Sequence, residues 1–147
     1  MKKLFILMFA ATVAAASCNK AEAPVASSED KLPIELSLSL QTKATDASFE
    51  NGDKIGVYVT YNGYLDAYKN YVDNAGYTLT ANKWVADEDI YWADKTNTAD
   101  FYCYYPYGTP IDATAYNFTV KSDQSNRVNY AASDFLWGRT LAAAPGA

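Results

Sequence analysis

The sequence predicts an all-β domain, a sandwich of about seven strands. Three observations predict it. Apolar side chains recur at every second position through several short runs. Gly, Asn and Pro punctuate those runs at intervals of about 8–15 residues. No long amphipathic helical stretch interrupts them.

Residues 1–17 stand apart from this pattern. Lys2 and Lys3 precede an apolar run of 13 residues, Leu4 to Ala16. That length falls within the about 7–15 residues of a signal-peptide core and short of the about 18–20 that span a bilayer. Ala15, Ala16 and Ser17 then lead directly to Cys18, an ending that resembles a lipobox, with Ala15 where Leu is commonest. The resemblance implies cleavage between Ser17 and Cys18, a diacylglycerol on the Cys18 thiol, and acylation of the new amine. Several acyl chains anchor a protein stably where one does so marginally. An ordinary secretory signal beside a coincidental cysteine is the alternative. Residues 18–32 are Ala, Ser, Pro and charge without period, and read as a lipidated flexible tether.

The folded domain is expected over residues 33–147. Ile34, Leu36, Leu38 and Leu40 alternate with Glu35, Ser37, Ser39 and Gln41, which predicts a half-buried first strand. A loop with the Asn51-Gly52 turn follows, then a second strand on Ile55, Val57, Val59 and Tyr61. Asn62-Gly63 predicts a hairpin turn. Residues 64–76 carry Leu65, Tyr68 and Val72 at helical spacing, so a short helix or a long loop is expected there. Tyr77 and Leu79, a turn near Ala81-Asn82, and Trp84-Val85 predict a hairpin. Ile90 and Trp92 predict a short strand, and Ala99 to Tyr105 an aromatic strand stopped by Pro106. Tyr116, Phe118 and Val120 alternate once more, and Asp134 to Trp137 opens another apolar element. The chain stops ten residues after Trp137, so the sandwich is expected to be cut short at its C-terminal end.

Charge and residue types narrow the chemistry. Cleavage before Cys18 removes two of 12 basic residues and no acids, leaving ten basic against 17 acidic residues. The resulting net charge near −7 disfavours nucleic acid, whose phosphates need a basic face. Histidine, the commonest general base and metal ligand, is absent. Cys103 shares one side of its strand with Phe101 and Tyr105 and reads as a small buried hydrophobe. Asp87, Glu88, Asp89 and Asp94 cluster around Ile90-Tyr91-Trp92 but lack calcium-loop spacing, and read as a solvated loop. Asp100 and these acids also make no pair that sequence identifies as a glycosidase acid and base. The expectation is no enzyme, no catalytic residue, no metal and no cofactor.

The chain holds 13 tyrosines and three tryptophans. Tyr102, Tyr104, Tyr105 and Tyr107 lie close together, as do Tyr61 and Tyr64. Such rings serve as cross-strand core packing or, where exposed, as platforms that stack on sugars. The first use is the commoner.

Several segments in order carry a family resemblance. Phe49-x-x-Gly52-Asp53-x-Ile55-Gly56-Val57-Tyr58 comes first, followed by Trp84 and Ile90-Tyr91-Trp92. Phe101-x-x-x-Tyr105-Pro106-Tyr107, Asp123-Gln124-Ser125 and Ser133-Asp134-Phe135-Leu136-Trp137 complete the series. Over about residues 34–140, behind a lipobox, this series resembles the fimbrillin-like lipoproteins of Bacteroidetes. The resemblance implies a transthyretin-like, Greek-key sandwich, the N-terminal domain of a normally two-domain pilin-like protein. It further implies a structural or adhesive pilus subunit or accessory component at the outer membrane and fimbrium. Its partners would be other pilus subunits, the membrane through the lipid anchor, and glycans or proteins of host or bacterial surfaces.

In this family the resemblance also implies proteolytic removal of an N-terminal strand after a basic residue, and β-strand addition into the groove left behind. Lys43-Ala44 would be the cut, and Ile34, Leu36, Leu38 and Leu40 the exchanged strand. A permanent first strand with Lys43 in a solvated loop fits the same residues. A monomeric glycan-binding lipoprotein of a nutrient-uptake system is the alternative function.

Overall fold

The computed structural model describes residues 31–39 and 48–146. Among these, five strands form one antiparallel sheet: β1 (Lys54–Thr60), β2 (Val72–Thr80), β3 (Lys83–Ala86), β4 (Ala99–Tyr105) and β5 (Leu136–Ala143). Their order across the sheet is β3-β2-β1-β4-β5. A five-residue helix, α1 (Arg127–Ala131), precedes β5.

β1 holds the middle of the sheet, and its composition explains why. From Ile55 to Thr60 every residue is buried, so both faces are covered. Val, Ile, Tyr and Thr suit a strand packed on both sides. Its odd-numbered residues Ile55, Val57 and Val59 join Phe101 on one face in the main core. Tyr58 on the opposite face packs with Tyr102 and Tyr104. β4 runs from Ala99 to Tyr105 as predicted and pairs with β1 throughout, Val57 opposite Cys103 and Tyr58 opposite Tyr102. Cys103 lies beside the main core, as its position between Phe101 and Tyr105 predicts.

The β2–β3 hairpin also forms where expected. Ala81 and Asn82 occupy its two-residue turn with φ of 48° and 63°, the left-handed pair that such a turn needs. The β1–β2 pairing slips between Val57 and Val59. Asn74 sits opposite this irregularity at φ 48° and uses its side chain there. Its Oδ1 accepts from the Tyr104 hydroxyl at 2.7 Å, and its Nδ2 donates to the Gly108 carbonyl at 3.0 Å.

The all-β expectation holds, but the described residues form five strands in one sheet where a sandwich of about seven was predicted. Three of the alternating runs form no strand. Residues 33–39 are extended, yet only Pro33 makes a bridge, to Tyr91. Residues 90–92 contribute that bridge and no ladder. Tyr116, Phe118 and Val120 form no strand; instead Tyr116 stacks on Phe135 across a loop and Phe118 packs against the same ring at a tilt. Asn62-Gly63 makes no tight hairpin either. It opens a loop to residue 71 in which Asp66 accepts from the backbone N–H groups of Tyr68 and Lys69. The helical spacing of residues 64–76 therefore resolves into loop and then β2.

The sequence reading missed α1. Its start is set by Asn126, whose side chain accepts from the Asn129 N–H at 2.8 Å. Arg127 pairs with Glu50, tying the helix to the turn before β1.

Candidate functional site

The site grows from the apolar face of the sheet and the segment that lies on it. Ile34 is 5% exposed; its N–H donates to the Ile90 carbonyl, and its own carbonyl accepts from the Tyr77 hydroxyl at 3.1 Å. Leu36 and Leu38 then turn inward against the core while Glu35, Ser37 and Ser39 face outward. This is the period-two burial that the sequence predicts for a strand. The ladder is missing. From Glu35 to Ser39 no backbone group hydrogen-bonds to another described residue.

Two grooves explain the absence. One, of about 870 Å³, separates the segment from β2 and β3 and is floored by Phe49, Leu79, Trp84 and Ile90. The other, of about 760 Å³, separates it from β4 and β5 along Trp92, Phe101, Cys103 and Leu136. Each is lined on one side by a strand-like backbone with unused donors and acceptors, and below by apolar side chains. That combination accepts an extended peptide: backbone groups pair along the edge, and alternate side chains enter the groove.

The electrostatics of this face are quiet. Burial pushes the Cys103 thiol up to about 12, so it is neutral at physiological pH. Burial, reinforced by the Asp53 carboxylate, pushes the Tyr105 hydroxyl to about 12 as well, and that hydroxyl donates to Asp53 Oδ1 at 3.2 Å. Both groups act as packing.

The acidic residues near Ile90 are dispersed among local bonds. Asp87 pairs with Lys54 at 2.6 Å. Asp89 accepts from the Tyr91 hydroxyl at 3.4 Å, and Asp94 closes its own turn on Thr96 and Asn97. Asp100 accepts from the Ala142 N–H at 2.8 Å. Among the described residues no three His, Cys, Asp or Glu side chains gather to hold a metal.

Of the sequence-predicted residues, Ile34, Leu36 and Leu38 fall together on the apolar face. Ser17, Cys18, Leu40, Lys43 and Ala44 lie outside the described residues. Tyr102 and Tyr104 are buried cross-strand packing; Tyr105 packs against the main core, while Tyr107 lies under the Lys54 ammonium at 4.4 Å from the ring centre.

A second cavity, of about 250 Å³, opens on the opposite face among Tyr58, Tyr102, Asp112, Tyr116 and Trp137. The sequence reading did not assemble it. The alternation in β4 already places Tyr102 and Tyr104 on one side, but bringing Tyr58 and Trp137 to them requires the strand order.

No curated protein matches the chain. Among solved structures, a fimbrial protein from Bacteroides ovatus ATCC 8483 is similar, with a TM-score of 0.50 and 23% identity. The match covers 62% of this chain and 20% of that one, so the chain spans about one fifth of that protein's length. At this identity the likeness is one of fold. A family model described as fimbrillin-like matches residues 42–145, from before β1 to beyond β5. With that match over more than half of its length, the chain belongs to the fimbrillin-like family.

Proposed function

We propose that this chain is a cell-surface pilus subunit or accessory component, structural and adhesive rather than catalytic, that joins its neighbours by β-strand addition. The observation that carries this reading is the segment Glu35–Ser39. It is buried like a strand, bonded like a loop, and flanked on both sides by apolar grooves. A strand with period-two apolar residues entering either groove would pair the unused backbone groups and cover the exposed core together. Membership of the fimbrillin-like family supports the same reading.

Ile34, Leu36 and Leu38, continued by Leu40, are then the strand that is exchanged. A cut between Lys43 and Ala44 would release it and leave the floor of both grooves open. Cleavage at Ser17-Cys18 and lipid on Cys18 would hold the subunit at the outer membrane, with the fimbrium as its place of work. Its partners are other subunits and, through the exposed surface of the polymer, molecules of neighbouring surfaces.

Mass analysis of the N-terminus of protein taken from envelopes tests the maturation steps. Acyl groups on Cys18 are expected in the membrane-bound form, and Ala44 as the first residue in the polymer. Polymer that retains residues before Ala44 would rule out the cut. Electrophoresis without full denaturation tests the assembly, with ladders expected; a stable monomer under every assembly condition would end that part of the reading. Membrane retention unchanged by Cys18→Ala would exclude the anchor.

A further inference from the structure

We propose that the segment over the aliphatic face is clamped at residues 32–34 and loose beyond them, so that it lifts from its Ser39 end first and the clamp is the last part to let go. The consequence for assembly rests on the strand-addition reading above; the clamp itself does not.

The clamp is built on the backbone of residues 90–92. The Ile34 N–H donates to the Ile90 carbonyl at 2.9 Å, and the Trp92 N–H donates to the Leu32 carbonyl at 2.9 Å. Pro33 and Tyr91 face each other between these bonds as an antiparallel bridge. Tyr77, on the aliphatic face and 1% exposed, adds a third bond: its hydroxyl donates to the Ile34 carbonyl at 3.1 Å. Lys31 places its ammonium over the Tyr91 ring, 5.5 Å from the centre. Four consecutive residues, Lys31 to Ile34, are thus engaged.

Two further tyrosines hold the other half of the clamp in place. The Tyr71 hydroxyl donates to the Tyr91 carbonyl at 3.0 Å, and the Tyr61 hydroxyl accepts from the Ala93 N–H at 3.0 Å. Their rings meet edge to face at 5.2 Å. Tyr61 directly follows β1 and Tyr71 directly precedes β2. Residues 91–93 are therefore tied to two neighbouring strands of the sheet.

Beyond Ile34 the attachment changes in kind. Leu36 and Leu38 are half-buried, with a groove on each side, and from Glu35 to Ser39 the backbone makes no bond to another described residue. A segment opens first where the fewest bonds and buried contacts hold it. The Ser39 end meets that condition, and Leu38 and then Leu36 follow it while residues 32–34 stay bound. An incoming strand takes the face stepwise from that end and meets the clamp last. A subunit cut after Lys43 then keeps its N-terminal fragment, and with it the lipid on Cys18, until a neighbour's strand has arrived. The apolar face is never left bare in between, which spares it non-specific association.

The test is amide hydrogen exchange of the full, unassembled chain, followed residue by residue by NMR. The Ile34 and Trp92 amides are expected to be protected, and those of Ser37 and Ser39 to exchange at close to the free-chain rate. Tyr77→Phe keeps the ring and removes one hydroxyl. It should lower the protection of Ile34 about fivefold, the loss of one hydrogen bond, with protection in β1 and β4 unchanged. Tyr71→Phe, at a residue 47% exposed, should lower the protection of Ile34 and Trp92 in the same direction. Leu38→Ala should leave Ile34 as protected as in the parent, because the far end opens by itself. The proposal is overturned if Ile34 exchanges as fast as Ser39, or if neither Tyr→Phe variant lowers its protection. It is equally overturned if Leu38→Ala lowers that protection as much as Tyr77→Phe does, the mark of a segment that leaves all at once. These readouts need no assembly, so a failed clamp and a failure to form ladders are told apart.

Discussion

Asp94 illustrates how single residues here are spent on local order rather than chemistry. Its carboxylate accepts from the backbone N–H groups of Thr96 and Asn97 at 2.8 and 2.6 Å, and from both of their side chains. Those donors, the Asn97 N–H first, lower its pKa from 3.8 to about 2. The ionised form is the one they favour, so the folded pKa lies below the unfolded one. The stabilisation is therefore complete above about pH 4 and disappears as the pH falls through about 2. Asp94→Asn should lower the unfolding midpoint at pH 5 and 7, and the gap to the parent should close between about pH 4 and 2. A gap that stays constant over that range would refute the assignment. In the sequence this acid was one of a cluster; only the fold separates it from Asp87 and Asp89 and gives each its own partner.

Strands depend on where glycine allows close approach. Gly56 and Gly76 face each other across β1 and β2. The Tyr104 ring covers Gly56 so closely that a Cβ there would overlap the ring, and the Lys54–Asp87 pair passes just as closely over Gly76. Gly56→Ala should thus destabilise the fold by about 1–3 kcal/mol, the range for overfilling a packed site. Urea titration would register this as a lower midpoint with an unchanged slope; an unaltered midpoint would mean that Tyr104 moves aside freely. Element prediction succeeded where a run had one clear period and a sharp stop. Ala99 to Tyr105 ends at Pro106, and Ala81-Asn82 marks a two-residue turn. It failed for Tyr116 to Val120, where the same alternation serves an aromatic stack. Period two states which side chains face inward, and leaves open whether a neighbouring strand is present to pair the backbone.

At the scale of the molecule, one sheet carries two unlike faces. The aliphatic face lies under residues 33–39 with a groove on each side; the tyrosine face carries a smaller aromatic cavity. β5 closes the sheet on one edge with most of its side chains exposed, Trp137 and Leu141 among them. The segment over the aliphatic face is held by Ile34 and by the inward leucines, since beyond Ile34 its backbone makes no bond to the other described residues. Leu36→Asp with Leu38→Asp should therefore release it without unfolding the sheet. Increased binding of a hydrophobic dye and faster appearance of ladders are the expected readouts. Unchanged dye binding would show that the segment does not cover the face.

The sequence by itself determined the inward and outward side of each run, the turn at Ala81-Asn82, the end of β4 at Pro106 and the mostly β character of the domain. These are local properties, decided by side-chain period and by backbone preferences of residues close in sequence. Tertiary structure decided which runs became strands and which only lay against the sheet. It also decided where buried tyrosine hydroxyls found partners, Tyr77 on the Ile34 carbonyl and Tyr104 on Asn74 and Gly108. Those outcomes depend on neighbours far apart along the chain, because a backbone donor or a buried hydroxyl is satisfied only by whatever the fold places beside it.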